Sequence, residues 1–204
     1  MFDYFVRGGP VMYPLLACSV VSLAIIIERI IFWLRLRTTV NRRSLDLIIR
    51  LAGRTRQNMA IRAARSSRDF IAKILLEGVK HFDHNFDLAL ETAVSDALNR
   101  MRRYTGILDT IVTLAPLLGI FGTVLGIIDS FNLLGSSIVD PKAVTGGIAQ
   151  ALITTAAGLA IAMPTLIFNN YFNARIESSA SEIEKYVNAL EMTRRRAYHT
   201  GERA

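Results

Sequence analysis

Hydroxyl and amide side chains interrupt two long apolar stretches of this sequence, where they could hydrogen-bond water or a group that carries a proton. Thr123 lies in one stretch, and Gln150, Thr154 and Thr155 lie in the other. Gln150 and Thr154 are one helical turn apart, as are Ala151 and Thr155. Polar groups away from water cost free energy unless they are paired. These polar and small residues of the second stretch form a strip along a helix. The strip is therefore expected to face other protein or a hydrated path, with leucine and isoleucine side chains turned outwards.

Small residues accompany Thr123 at helical spacing. Ala115, Gly119, Gly122 and Gly126 follow steps of four, three and four, which places them on one face of a helix. Such a face lets two helices approach closely in a membrane. Helix packing explains the glycines well and Thr123 only in part, although a lone threonine could also simply bond its own backbone.

Helix-breaking residues also lie inside the two stretches. Pro116 and Pro164 each remove a backbone hydrogen bond and favour a kink. Such a kink could shape a cavity, and a purely architectural role explains each proline equally well. Gly158, one turn beyond Thr154, continues the small-residue strip.

Carboxylates are missing from the middle of the apolar stretches. Asp109 and Asp129 lie at opposite ends of the stretch that contains Thr123, and Glu28 lies near the end of an earlier one. Glu28 and Arg29 form an adjacent charge pair that suits a membrane interface. The chain therefore has no carboxylate of its own that could carry a proton in mid-membrane.

Three candidate membrane-spanning helices must position these residues. Of the 204 residues, 51% are hydrophobic and 20% are charged, and the mean hydropathy is +0.34, which is high for a soluble domain. A helix needs about 20 apolar residues to cross a bilayer. Three segments satisfy this length without a charge: Gly8 through Ile27, Thr110 through Ile128, and Ala143 through Ala174. The single Cys18 excludes a disulfide framework.

The distribution of basic residues predicts the orientation. Fifteen Lys or Arg lie between Leu34 and Gly106, six follow Phe172, and one lies in the short connection from Leu134 to Lys142. The positive-inside rule then places the first loop and the C-terminus in the cytoplasm and the N-terminus in the periplasm. No aromatic-interleaved basic platform accompanies these charges, so we do not expect nucleic-acid binding.

The segments outside the spans are predicted to be helical. Apolar residues recur at helical spacing in the loop, at Phe70, Ile71, Ile74, Leu75, Val79, Leu90, Val94, Ala97 and Met101. In the tail, steps of four and three form an interhelical seam that suits a continuation of the third span, at Ile176, Ala180, Ile183, Val187 and Leu190.

The predicted protein is an all-α integral membrane protein with three transmembrane helices. Residues 1–34 are the N-terminal segment and first transmembrane helix, and residues 35–105 are a cytoplasmic helical loop. Residues 106–134 and 143–172 are the second and third transmembrane helices, joined by a periplasmic turn at 135–142. Residues 173–204 are a cytoplasmic C-terminal helix.

The chain resembles a known family over essentially its whole length, and two segments are the most specific parts of that resemblance. They are Ala115 to Gly126, APLLGIFGTVLG, and Gly146 to Pro164, GGIAQALITTAAGLAIAMP, with Asn170-Tyr171-Phe172 following. Together they are similar to the MotA/TolQ/ExbB proton channel family, specifically the ExbB/TolQ branch. The three spans agree with that branch, because the motor-protein branch typically has four.

The resemblance implies a pentamer around the transmembrane helices of an ExbD- or TolR-like dimer. That single-span partner would supply the protonatable aspartate. Thr123 and Thr155 match the pore-facing threonines of the family. Family members often carry glutamate at the position that resembles Gln150; glutamine could orient water or bond the partner, but it cannot ionise.

The implied function is a proton-channel subunit that couples proton motive force to mechanical work from the bacterial inner membrane. An ExbB-like role, energising TonB-dependent outer-membrane transport, is favoured because the match lies in the shared channel core. The alternatives are a TolQ-like role in envelope integrity with a TolA-like protein, and a passive membrane scaffold.

An enzymatic role is the weakest alternative. His81 and His84 are close in the sequence but have no obvious further ligands, so they are interpreted as surface residues. No nucleophile–base pattern or phosphate-binding glycine loop is present in the sequence. We therefore expect no enzyme activity, no cofactor and no metal.

Overall fold

The computed structural model of the chain describes residues 8–37, 42–52, 57–67, 69–82, 84–134 and 141–201. Every regular element in these ranges is an α-helix, as the sequence predicts. The helices are α1 (Met12–Arg37), α2 (Arg42–Ala52), α3 (Gln57–Ser66), α4 (Phe70–Lys80), α5 (Phe86–Met101), α6 (Thr105–Leu134) and α7 (Pro141–Gly201).

Three helices are long and apolar enough to cross a membrane, which confirms the prediction of three candidate spans. The qualifying ranges are Met12–Leu36, Phe86–Asn132 and Thr145–Ala197. The second range joins α5 to α6, and its uncharged part, residues 110–128, lies in α6. At about 1.5 Å per residue, the 26 residues of α1 and the 30 of α6 each exceed the hydrocarbon thickness.

The third candidate span does not end where the apolar sequence ends. Helix α7 is 61 residues long and runs without a break from Pro141 to Gly201. The tail is therefore a continuation of the third span, as its apolar spacing suggests. Residues 135–140 of the predicted periplasmic turn lie outside the described residues, as do residues 1–7 and 202–204.

One compact unit contains the parts of the chain in which the sequence analysis places its site. Unit 1 comprises residues 1–29 and 104–172. Its buried apolar cluster is small and consists of Val11, Leu15, Ile111, Ala115 and Ala162. Large apolar side chains instead lie exposed along its helices, among them Leu16, Val20, Leu23, Leu117, Phe121, Leu152 and Ile167. Large exposed apolar side chains around a small buried core are typical of membrane helices.

The other compact unit, residues 30–103 and 173–204, has a conventional apolar core. Helices α2 to α5 each pack against the next, and α2 also packs against α4. From α7, the predicted seam supplies buried Ile176, Ile183 and Leu190. The buried Asp69 side chain accepts from the Ile71 N–H at 2.9 Å and caps α4, a type of bond that stabilises a helix by about 1 kcal/mol.

Arg194 fixes the last part of α7 within unit 2. Its Nε donates to the carbonyl oxygen of Phe82 at 2.9 Å. Its guanidinium lies 4.5 Å from the centroid of the Phe86 ring, and its NH1 lies 3.6 Å from an Asp87 carboxylate oxygen. The basic residues of the tail are interpreted from the sequence mainly as a topology signal, and the structure adds this packing role for Arg194.

Tyr186 lies in the same part of α7, beyond the predicted third span, and is 6% exposed. Burial raises the pKa of its phenol above the ordinary value of 10.0, and the nearby carboxylates of Asp46 and Glu182 raise it further. The neutral phenol is therefore the form that the folded unit favours.

Candidate functional site

The glycine face of α6 lies directly against α7. A Cβ atom built on Gly119 would be 3.0 Å from both the carbonyl oxygen of Thr154 and the Cα of Thr155. A Cβ on Gly122 would be 2.5 Å from the hydroxyl oxygen of Thr154. These positions have no room for a side chain, so α7 packs directly on the backbone of α6, through its own backbone at Gly119 and through the Thr154 side chain at Gly122.

The contact continues in both directions along the two helices. A Cβ on Gly158 of α7 would be 2.5 Å from the carbonyl oxygen of Ala115. At the other end, a Cβ on Gly126 would be 2.9 Å from the carbonyl oxygen of Gly147. The contact therefore spans at least three helical turns, and α7 contributes its own glycines to it.

Two threonines of α7 point at a single carbonyl of α6. Thr155 is half-buried and donates its hydroxyl to the carbonyl oxygen of Gly119 at 3.1 Å. Thr154 is fully buried; its hydroxyl donates to Ala151 in its own helix at 2.8 Å and lies 3.4 Å from the same Gly119 oxygen. Both hydroxyls thus use their proton on backbone oxygens and retain oxygen lone pairs as acceptors.

Thr123 lies next to this contact, directly after Gly122. Its hydroxyl donates to the carbonyl oxygen of Ile120 at 2.5 Å, and its side chain is partly exposed. The bond to its own backbone is the local alternative that the sequence left open. Like Thr155, it presents lone pairs rather than a proton to whatever lies beside it.

Gln150 lies against the turn that precedes α1. Gly9 in this turn has a φ of +71°, in the left-handed region that favours glycine. The amide nitrogen of Gln150 occupies the space that a Cβ on Gly9 would need, and its Cδ would be 3.2 Å from that Cβ. The structure therefore places the amide of Gln150 beside the start of the first candidate span. That Gln150 lines a pore stays a prediction.

Asp109 and Asn169 form a polar contact that the sequence analysis did not identify. Asn169 Nδ2 donates to Asp109 Oδ1 at 2.5 Å, joining α7 to α6. Asn169 is only 2% exposed, whereas Asp109 is exposed in the single chain. A signal for Asn169 was present in the sequence, because the Thr154 strip continues by steps of four, four, three and four to buried Gly158, Ala162, Thr165 and Asn169.

Glu28 and Arg29 form the predicted adjacent charge pair. Arg29 Nε and NH2 donate to the two carboxylate oxygens of Glu28 at 2.5 and 2.7 Å. The Arg29 side chain is 2% exposed, and its guanidinium lies 5.8 Å from the centroid of the Tyr104 ring. A buried guanidinium with a bidentate carboxylate and an aromatic neighbour is a structural arrangement that joins α1 to the start of α6.

The prolines lie within continuous helices. Pro116 is inside α6 and half-buried, and Pro164 is inside α7 and exposed. Each leaves the carbonyl four residues earlier without its usual helical donor. Pro116 lies one residue after Ala115, whose carbonyl oxygen faces Gly158, so it is close to the glycine contact.

The histidines lie in unit 2, away from these residues in the chain. His81 follows the last residue of α4, and its Nδ1 lies 3.1 Å from the carbonyl oxygen of Glu77, four residues earlier in that helix. Within the described ranges, no group of three or more His, Cys, Asp or Glu side chains is arranged to hold a metal ion. The arrangement in unit 1 offers hydroxyl, amide and carboxylate groups, which can bind protons and water.

Comparisons with known proteins identify a family to which the sequence of this chain is similar. The model of the MotA/TolQ/ExbB proton channel family matches residues 65–185. A relative from Synechocystis, named putative biopolymer transport protein ExbB-like 3, is 35% identical over 93% of this chain and 92% of its own length.

Two further relatives represent both named systems. Biopolymer transport protein ExbB of Salmonella typhimurium is 29% identical over 82% of this chain and 73% of its own. Tol-Pal system protein TolQ of Pseudomonas aeruginosa is 34% identical over 56% of this chain and 50% of its own. The family match and the near full-length relative show that this chain belongs to the MotA/TolQ/ExbB proton channel family, in its ExbB/TolQ branch.

Proposed function

We propose that this chain is a proton-channel subunit of a motor in the bacterial inner membrane, which turns proton motive force into mechanical work across the envelope. The observation that carries the proposal is the contact of Thr154 and Thr155 with Gly119. It places hydroxyl groups in the middle of a glycine-lined helix pair. Glycine and alanine suffice for close packing, and the hydroxyls add groups that can hydrogen-bond a partner carboxyl group or water.

The hydroxyl protons suggest which form of a partner carboxyl group the site accepts. Thr123 and Thr155 donate to Ile120 and Gly119, so they offer acceptors outwards. A protonated carboxylic acid can donate to such an acceptor, whereas a carboxylate cannot. The threonines therefore favour the neutral form of an aspartate that a single-span partner, similar to ExbD or TolR, would bring into the site.

The proposed assembly is a homopentamer around the partner helices. Thr123 and Thr155 are each only half-buried within the single chain. The channel would therefore be completed by neighbouring copies and by the partner, with the exposed apolar side chains facing lipid. The mid-membrane carboxylate would come from the partner, because residues 110–128 and 143–174 contain none.

The proposed topology places the N-terminus in the periplasm and unit 2 in the cytoplasm. It rests on the fifteen basic residues between Leu34 and Gly106 and the six after Phe172. A proton that moves inwards through about 100 mV then provides about 2.3 kcal/mol. That amount suffices to bias one conformational step, so the motor would use protons repeatedly.

We propose an ExbB-like system that energises TonB-dependent outer-membrane transport. The support is that the near full-length relative and the Salmonella relative both carry the name ExbB. A TolQ-like role in envelope integrity, with a TolA-like partner, is the second candidate because TolQ matches over the shared core. No catalytic step or cofactor is part of either proposal.

The decisive experiment is to purify the chain from membranes with its bound proteins and to count the copies of each. The proposal expects five copies with a small single-span protein that has an aspartate in its membrane helix. Co-purification of a TonB-like protein supports the ExbB-like system, and a TolA-like protein supports the other. A chain that binds no single-span partner would overturn the motor and favour the passive scaffold.

A further inference from the structure

Asn169 of α7 has a buried carbonyl oxygen that is not satisfied in the described structure. Its Nδ2 donates to Asp109 Oδ1, but among the described residues its Oδ1 has no hydrogen-bond partner. Leaving a buried acceptor unpaired destabilises the folded chain. The amide is therefore only half-satisfied when Asp109 is a carboxylate.

A proton on Asp109 supplies the missing bond without adding any other atom. Protonated Asp109 Oδ2 would donate to Asn169 Oδ1, while Asn169 Nδ2 continues to donate to Asp109 Oδ1. The acid and the amide would then form a closed ring of two hydrogen bonds, in which all four polar atoms are paired. The ionised acid has only acceptors, so it cannot donate a hydrogen bond to the buried carbonyl oxygen of Asn169.

We propose that Asp109 and Asn169 form a proton-binding pair that belongs wholly to this chain. The proton forms an O–H bond with Asp109 on arrival, and it returns to water when that bond breaks. Asp109 is exposed in the single chain, so water can reach the carboxyl group. Its position in the proton route rests on the proposed function, whereas the binding itself does not.

The position of the pair matches the end of the polar strip. Asp109 precedes Thr123 by fourteen residues, and Asn169 follows Thr155 by fourteen, so each is about 21 Å along its helix from the threonine. Direct transfer over that distance is excluded by the length of a hydrogen bond. The pair is therefore a separate proton-binding site, at the end of the spans where the proton leaves.

The other charged side chains described in unit 1 do not take over the role of the proton on Asp109. Among the side chains of unit 1 that the structure describes, the other charged and titratable ones are Tyr13, Cys18, Glu28 and Arg29 from α1, Tyr104 and Asp129 from α6 and the turn before it, and Tyr171 from α7. Arg29 already holds both carboxylate oxygens of Glu28 and lies over Tyr104. Asp129 lies 20 residues further along α6, about 30 Å away.

Nuclear magnetic resonance of the full chain in lipid bilayers tests the pair directly. The Cγ shifts of Asp109 and Asn169 are followed as the pH is lowered. We expect the Asn169 signal to move with the same midpoint as the Asp109 signal, because its carbonyl gains a bond when Asp109 is protonated. The neighbouring exposed Asn170 is the matched control and should not follow that midpoint. An Asn169 signal that stays constant while Asp109 titrates would overturn the proposal.

Variants separate the pair from the wider motor. Asp109→Asn should abolish the coupled shift of Asn169, and the exchanged variant Asp109→Asn with Asn169→Asp should restore a coupled acid and amide. In the complex with its partner, Asp109→Asn should lose most proton flux into liposomes and the exchanged variant should regain it, while Asp129→Asn retains it. Coupled shifts without proton flux in the wild type would contradict the motor and leave the pair intact. Full flux in Asp109→Asn would overturn the assigned place in the route.

Discussion

The hydroxyl of Thr155 donates to the carbonyl oxygen of Gly119 at 3.1 Å, across the contact between α7 and α6. The bond exists because position 119 has no side chain, which lets the backbone of α6 come within reach of a short hydroxyl. The close packing at Gly119 and the hydroxyl bond of Thr155 therefore depend on each other. Changing either one is expected to affect the other.

The glycine contact predicts a position-specific response to alanine. Gly158→Ala should destabilise the chain by about 1–3 kcal/mol, because the new methyl group would lie against the carbonyl oxygen of Ala115. Gly146→Ala is the matched control in the same helix, since a Cβ there meets nothing within 4 Å. Thermal unfolding in detergent measures both variants. Equal midpoints for the two would contradict the packing described here.

The threonines are predicted to act through their hydroxyls rather than through their shape. Thr155→Val keeps the size of the side chain but removes the bond to Gly119, whereas Thr155→Ser keeps the hydroxyl. We expect proton-driven activity to be lost in the valine variant and largely retained in the serine variant. The proposed pentamer should remain assembled in both, as checked by native mass spectrometry. Full activity in Thr155→Val and Thr123→Val would support the passive scaffold.

The two neighbouring arginines of the tail are predicted to differ. Arg194→Ala should destabilise unit 2 by about 1–3 kcal/mol, because it removes the bond to Phe82 and the contact with the Phe86 ring. Arg195→Ala should change stability by less than about 0.5 kcal/mol, because its exposed side chain pairs only with Glu191 among the contacts described. Chemical denaturation followed by circular dichroism compares them. A larger effect at Arg195 would refute the assignment.

Tyr186 predicts how stability depends on alkaline pH. Its pKa is raised in the folded chain, so the unfolded chain loses the phenol proton first as the pH increases. Stability is therefore unaffected by this group below about pH 10 and falls as the pH rises from there towards the folded-state pKa. Tyr186→Phe removes this dependence. Relative to the Tyr186→Phe variant, the wild type should lose stability above about pH 10. A stability difference between the two proteins that is constant up to about pH 11 would argue against the effect.

The helices and the close contact were predictable because both follow from residue type and spacing. Uncharged runs longer than a bilayer predict spans, and steps of three and four predict which glycines share a face. The partners of single side chains were less accessible. The contact of Gln150 with Gly9 depends on a turn with positive φ before α1.

Two other features needed the structure for different reasons. Helical spacing places Arg194, but not Arg195, one turn beyond Leu190 on the face of the seam. Its partners Phe82 and Asp87 lie more than a hundred positions earlier, so they could be identified only from the structure. Asn169 follows from extending the α7 strip by four steps, but its bond to Asp109 depends on how α6 and α7 are aligned. The sequence therefore predicts faces, and three-dimensional packing decides pairs.

The contact at Gly119, Gly122 and Gly158 also bears on which part of a motor moves. Backbone meets backbone at Gly119 and at Gly158, and a backbone has no alternative rotamers through which one helix could slide past the other. In the proposed assembly, α6 and α7 would therefore act together as part of a stator. The stepping element would then be the partner helix, which turns inside a frame that keeps its shape.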